Sequence, residues 1–195
     1  MENFDALEVI ARTKGRVEMD GIPSGDRIFP IWGWLSAIAF ALEFVCWRSF
    51  QQTWCLFLWV IIPLIGTPLM MRIIRKDRDR THIRSRASKL VLDYWIFVGA
   101  ACGLGGFALG FADLYEICFI PVASMLIGIG AFITGEVLRF RPMIICGLIG
   151  AFAGLLSFIL QGELWSYQLL VLSLVSVVSL IVPGYLYNRQ FKDGV

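Results

Sequence analysis

A single histidine, His82, in 195 residues and a charged fraction of only 16% are the chain's scarcest features. One histidine leaves no partner for a His-based catalytic dyad and no His pair for zinc. The five cysteines, Cys46, Cys55, Cys102, Cys118 and Cys146, form no Cys-x-x-Cys and all fall in apolar runs. They read as small buried hydrophobes rather than as metal ligands. The chain has no His-Glu-x-x-His, no phosphate-binding Gly-x-x-x-x-Gly-Lys loop and no Gly-x-Ser-x-Gly elbow. Paired aspartates inside apolar runs are also missing. No catalytic residue, metal or cofactor is therefore expected, and the protein is read as a non-enzyme.

What is abundant is apolar surface. Hydrophobic residues make up 58% of the chain, and mean hydropathy is +0.75. Soluble domains run near 45–50%. The excess falls into six long runs, at 30–50, 54–74, 90–111, 114–137, 143–160 and 164–187. About 20 apolar residues cross about 30 Å of hydrocarbon as a helix. Short polar breaks at 49–53, 112–113 and 161–163 join the runs in pairs. The expected fold is all-α: a polytopic membrane bundle of six transmembrane helices in three hairpins.

Charge orients the bundle. Sixteen of the 17 basic residues, all but Arg48, fall on one side: before the first run, after the last, or in the two connections between pairs, with Arg72 just before the first of these. The densest cluster runs from Arg72 to Lys89. Positive charge resists translocation, so this side is cytoplasmic. Both termini are expected in the cytoplasm and the protein in the inner membrane. Trp32, Trp34, Trp54, Trp165 and Tyr187 fall where an aromatic belt would meet the interface. Three segments result: a cytoplasmic stretch at 1–29, the membrane domain at 30–188 and a cytoplasmic tail at 189–195. Acidic and basic residues in the first stretch leave no apolar core for a cleavable signal. Phe4, Leu7, Ile10 and Ala11 recur at helical spacing, which predicts an amphipathic helix over 3–13. The basic loop is mixed with Asp77 and Asp79 and has no interleaved aromatics. Orientation and anionic-lipid contact explain it, and no direct nucleic-acid binding is expected.

Glycine marks the candidate packing faces. Gly99 and Gly103, then Gly106 and Gly110, are spaced four apart in the third run. Gly150 and Gly154 repeat the spacing in the fifth. Small residues at this spacing let helix backbones approach closely in lipid, within one chain or between two copies. The candidate polar site is Glu43 with Arg48: a carboxylate inside the first run is costly unless partnered, and Arg48 could reach back to it. Glu136 and Arg139 have the spacing of a helical ion pair. Ser173, Ser176 and Ser179 share a broad face of the sixth run. Pro63, Pro68, Pro121 and Pro183 are expected to kink their helices. Cys46 and Cys55 flank a short turn, which leaves a disulfide between them open.

Several ordered motifs carry a resemblance. They are Ile31-Trp-Gly-Trp34, Trp59-Val-Ile-Ile-Pro-Leu-Ile-Gly-Thr-Pro-Leu-Met70, Tyr94-Trp-Ile96, Arg139-Phe-Arg141 before Ile144-Ile-Cys-Gly147, and Ile181-Val-Pro-Gly-Tyr185. Together they resemble a family of small uncharacterised membrane proteins from gut-type Bacteroidota. The resemblance implies a membrane bundle and a cytoplasmic regulatory partner, and it supplies no activity. The expected role is a non-enzymatic sensing, regulatory or assembly component. The alternative is a small-molecule or ion transporter or channel. Expected partners are the lipid bilayer, a second copy of the chain and a cytoplasmic regulatory protein.

Overall fold

The computed structural model describes residues 25–77, 86–111 and 118–192. Among them there are helices and no strand. Helix α1 spans Gly25–Phe50 and is followed by a 3-10 segment, Thr53–Val60, that leads into α2, Ile61–Asp77. Helices α3 (Arg86–Phe111), α4 (Ile120–Leu138) and α5 (Arg141–Ser157) follow. After a 3-10 turn at Gly162–Leu164, α6 (Tyr167–Ser176) passes through a π-helical turn, Val177–Ile181, into α7 (Val182–Lys192). The expected helix at 3–13, His82 and the basic residues 78–85, and the break at 112–113 lie outside the described residues.

Among the described residues four helical stretches are long and apolar enough to cross a membrane: Ile28–Phe50, Lys89–Leu109, Ile120–Leu138 and Tyr167–Arg189. By length and composition the chain is thus a membrane protein. Two further apolar helices, Phe57–Ile73 and Arg141–Ser157, are shorter. Large apolar side chains point outward along the helices, among them Ile38, Leu42 and Val45 on α1 and Leu148, Phe152 and Leu155 on α5. Water would penalise such a surface, while hydrocarbon accepts it.

Proline fixes several of the boundaries. Pro63, Pro121 and Pro142 occupy the first turns of α2, α4 and α5. A missing N–H is harmless there, because the first N–H groups of a helix have no partner within it. Pro63 and Pro121 therefore begin helices, where kinks were expected. Pro68 sits inside α2, and Pro183 follows the π-helical turn directly. In that turn the Val182 N–H reaches back five residues to the Val177 carbonyl. This wider winding comes just before a residue that cannot donate.

Helix α5 ends at Ser157, short of the expected residue 160. The chain tightens there: Phe158, Ile159 and Leu160 donate to the carbonyls of Leu155, Leu156 and Ser157, each three residues back. Gly162 then takes φ 62°, a left-handed conformation that suits a residue without Cβ.

Helices α4 and α5 form the closest pair. Their contacts run in opposite senses: Gly128 lies against Gly150 and Ala151, Gly135 against Met143 and Ile144, Gly147 against Phe132, and Gly154 against Ser124 and Met125. The pair is antiparallel. Helix α1 packs on the rod formed by α6 and α7, with Gly33 against Leu180 and Ile181, Phe44 on Tyr167 and Trp47 on Trp165. Trp165 is buried, with the Trp47 ring 4.9 Å away. Helix α3 stands at the periphery: its best apolar window is 17% buried, against 56% for α4.

Candidate functional site

The glycine faces divide sharply. A Cβ built at Gly128, Gly135, Gly147 or Gly154 would run into backbone atoms of the facing helix. At Gly150 it would meet the Ser179 hydroxyl first, so this glycine serves the contact of α5 with the π-helical turn. Gly99 and Gly103 behave differently: a Cβ at either meets nothing within 4 Å, so among the described residues neither packs against another helix. Gly106 faces the rings of Trp59 and Phe119. Gly110 lies in α3, but its surroundings are outside the described region. Spacing alone could not separate these sets. Gly128 and Gly147 belong to no four-residue glycine pair, yet they make the closest backbone approaches.

Aromatic side chains take over where α3 meets α4. Tyr94 Oη donates to the Leu126 carbonyl at 2.9 Å, and Trp95 Nε1 donates to Thr134 Oγ1 at 3.1 Å. The Thr134 hydroxyl in turn donates to the Gly130 carbonyl at 2.7 Å, so it is used as donor and as acceptor. Gly130 leaves room for both rings, since a Cβ there would meet Tyr94 at 2.6 Å and Trp95 at 3.1 Å.

Five serine hydroxyls of the interior close onto carbonyls. Ser124 donates to Ile120, Ser157 to Gly154 and Ser176 to Leu172, all within their own helices. Ser173 bridges to the Ala37 carbonyl of α1 at 2.8 Å, and Ser179 to the Cys146 carbonyl of α5 at 3.2 Å. The serine face of the sixth run is thus a set of helix-to-backbone ties. Gln168, which sequence reasoning passed over, is fully buried at the start of α6. Its Nε2 donates to the Ser157 carbonyl at 3.2 Å and also to the Leu160 carbonyl. It caps the tightened end of α5.

Gln168→Leu removes both bonds and takes the side-chain donor from the Leu160 carbonyl in an apolar setting, while the Ser157 carbonyl keeps the Leu160 N–H. An unmade buried hydrogen bond costs about 1–3 kcal/mol. The expected result is a lower melting temperature in detergent, read by intrinsic fluorescence. An unchanged value would contradict this capping role.

Glu43 is fully buried, with 0% exposure, and takes part in a polar interaction within the chain. Arg48 is exposed at the end of α1. Five residues turn an α-helix about 140° past a full circle, so the two lie on different faces and the structure does not bring them together. Glu136 and Arg139 are both exposed, and their expected side-chain pairing is replaced by a backbone bond. Arg139 leaves the helix with φ 52°, and its N–H donates to the Glu136 carbonyl at 3.1 Å. The helical spacing rule fails because Arg139 is already the cap.

At the same end of α1 as Arg48 the structure gathers Cys46 and Cys55. Both are free thiols, with the sulfurs 2.9 Å apart. Cys55 is fully buried and Cys46 partly exposed. Among the described residues no group of three His, Cys, Asp or Glu side chains could hold a metal ion.

No protein-family model, no curated protein and no solved structure matches this chain.

Proposed function

We propose that the protein is a six-crossing component of the cytoplasmic (inner) membrane, built as three hairpins, α1 with α2, α3 with α4, and α5 with the rod of α6 and α7. In this reading both termini lie in the cytoplasm, and the protein acts through helix packing as a non-enzymatic sensing, regulatory or assembly component. The two shorter apolar helices are long enough for the reading. Seventeen residues at 1.5 Å each span about 25 Å, close to the hydrocarbon thickness. The distribution of basic residues supports the orientation.

One observation carries the functional half. The interior hydroxyls of Ser124, Thr134, Ser157, Ser173, Ser176 and Ser179 all donate to backbone carbonyls of this chain. Ser173, Ser179 and, through Trp95, Thr134 tie neighbouring helices, the others satisfy carbonyls of their own helix, and donors engaged in this way do not line a polar path. A transporter is the second reading, favoured by the full burial of Glu43 within a membrane-length helix.

The test is purification of the full chain in mild detergent, with mass spectrometry of proteins and lipids that accompany it, and ion uptake by vesicles containing it. The expected result is a second copy or a protein partner in fixed ratio, with no uptake above empty vesicles. A solitary chain whose vesicles conduct ions, and whose Glu43→Gln variant does not, would replace this reading with the transporter.

A further inference from the structure

Five free cysteines sit in apolar surroundings, but only Cys46 and Cys55 share a contact between sulfurs. Their approach is organised by the backbone. α1 ends at Phe50, and Gln51 reverses the chain with φ 50°, a conformation that non-glycine residues rarely adopt. The Gln51 N–H donates to the Trp47 carbonyl at 2.9 Å, and the Cys55 N–H to the Gln52 carbonyl at 2.9 Å. These two bonds fold the turn so that the start of the 3-10 segment comes back beside the last turn of α1. Aromatic rings flank the place, with Phe50 and Trp54 6.0 Å apart on the outside and Trp47 against Trp165 within.

We propose that Cys46 and Cys55 are a disulfide-forming pair that clasps the end of α1 to the chain leading into α2. A disulfide bond is about 2.05 Å long. The sulfurs therefore need to close by only about 0.9 Å from their 2.9 Å contact. The inference rests on the topology proposed above, because that turn then faces the outer, oxidising side, where disulfides form and persist.

The chemistry is thiol–disulfide exchange with an oxidised disulfide carrier, either a thioredoxin-like protein or a small-molecule disulfide. Cys46, the more exposed of the two, loses its proton and attacks one carrier sulfur. The carrier's S–S bond breaks, a mixed disulfide forms, and the other carrier sulfur leaves as a thiolate. Cys55 then loses its proton and attacks the Cys46 sulfur, which releases the second carrier thiolate. Two electrons and two protons pass to the carrier, now a dithiol. The bond closes a short loop, so it stabilises mainly by restricting the unfolded chain.

The experiment uses the full chain in its native membrane. Cells are quenched in acid, free thiols are blocked with N-ethylmaleimide, and disulfides are then reduced and labelled with a maleimide of high mass. The expected result is two labels on the wild type and on Cys102→Ala, and none on Cys46→Ala or Cys55→Ala. Peptide mapping of the unreduced protein should join Cys46 to Cys55. Reduction of the purified wild type should lower its melting temperature by roughly 5–10 °C, with no shift in Cys55→Ala. No label on the trapped wild type would overturn the inference. A reporter at Gln161–Gly162, read in the same cells, separates the two failures. An outer signal there with no label sinks the disulfide alone, and a cytoplasmic signal sinks the topology with it.

Discussion

Alanine at Gly147 lowers the melting temperature in detergent by roughly 2–12 °C, while alanine at Gly103 leaves it unchanged or raises it by about 2–4 °C. The first figure follows from the facing atoms. A methyl group at Gly147 meets Phe132 N and Cα and the Gly128 carbonyl oxygen. These are backbone atoms of α4, which cannot rotate aside, so the two helices must separate along their whole contact. Overpacking of this kind costs about 1–3 kcal/mol, or more where nothing yields. At this chain length each kcal/mol moves the melting point by about 2–4 °C. A Cβ at Gly103 meets none of the described residues within 4 Å. There alanine meets no obstacle and gains up to about 1 kcal/mol of helix propensity. Thermal melts of the two variants, side by side in one detergent, check both signs at once. Equal damage at both positions would mean that α3 is packed by its glycines after all, through a neighbour outside the chain.

Changing Glu43 to leucine destabilises the fold by about 1–3 kcal/mol, while glutamine at the same place is tolerated. The carboxyl is fully buried and interacts within the chain. Leucine fills a similar volume but offers no polar atom, and the groups that Glu43 meets are then left in an apolar interior. Glutamine keeps shape and hydrogen bonding and gives up only the charge. Had the side chain faced lipid, leucine would instead have stabilised, because a carboxyl in hydrocarbon costs about 2.5–3.5 kcal/mol at mid-membrane on insertion scales. The sign of the leucine effect therefore reports directly on whether Glu43 is inside the bundle. Abundance in membranes and melting in detergent are the measurements. A leucine variant more stable than wild type contradicts the buried placement.

The sequence made the helices legible because apolar runs bounded by prolines and short polar breaks leave few alternatives in a membrane. Boundaries were less legible. The end of α5 depends on Gln168, eleven residues beyond Ser157, whose side chain returns to cap the carbonyls there. No local pattern announces that contact. The glycine faces were legible as a class and not individually: a stripe such as Gly99 and Gly103 and a stripe such as Gly150 and Gly154 read alike until the facing helix is known. Charge spacing misled in two places. Glu43 and Arg48 lie on different helix faces, and Arg139 has already left α4 in a left-handed cap. The Tyr94 and Trp95 bonds to α4 span 32 and 39 residues, beyond the reach of any periodicity argument.

The central claim, a six-crossing bundle with both ends in the cytoplasm, is tested most directly by dual reporters whose activity depends on the side they reach. They are fused at Met1, between Arg75 and Lys89, at Gln161–Gly162 and at Val195. The account predicts cytoplasmic signals from Met1, from the basic loop and from Val195, and an outer signal from Gln161–Gly162. An outer signal from the loop around Arg80 would contradict it, since the densest positive cluster in the chain would then have crossed the membrane.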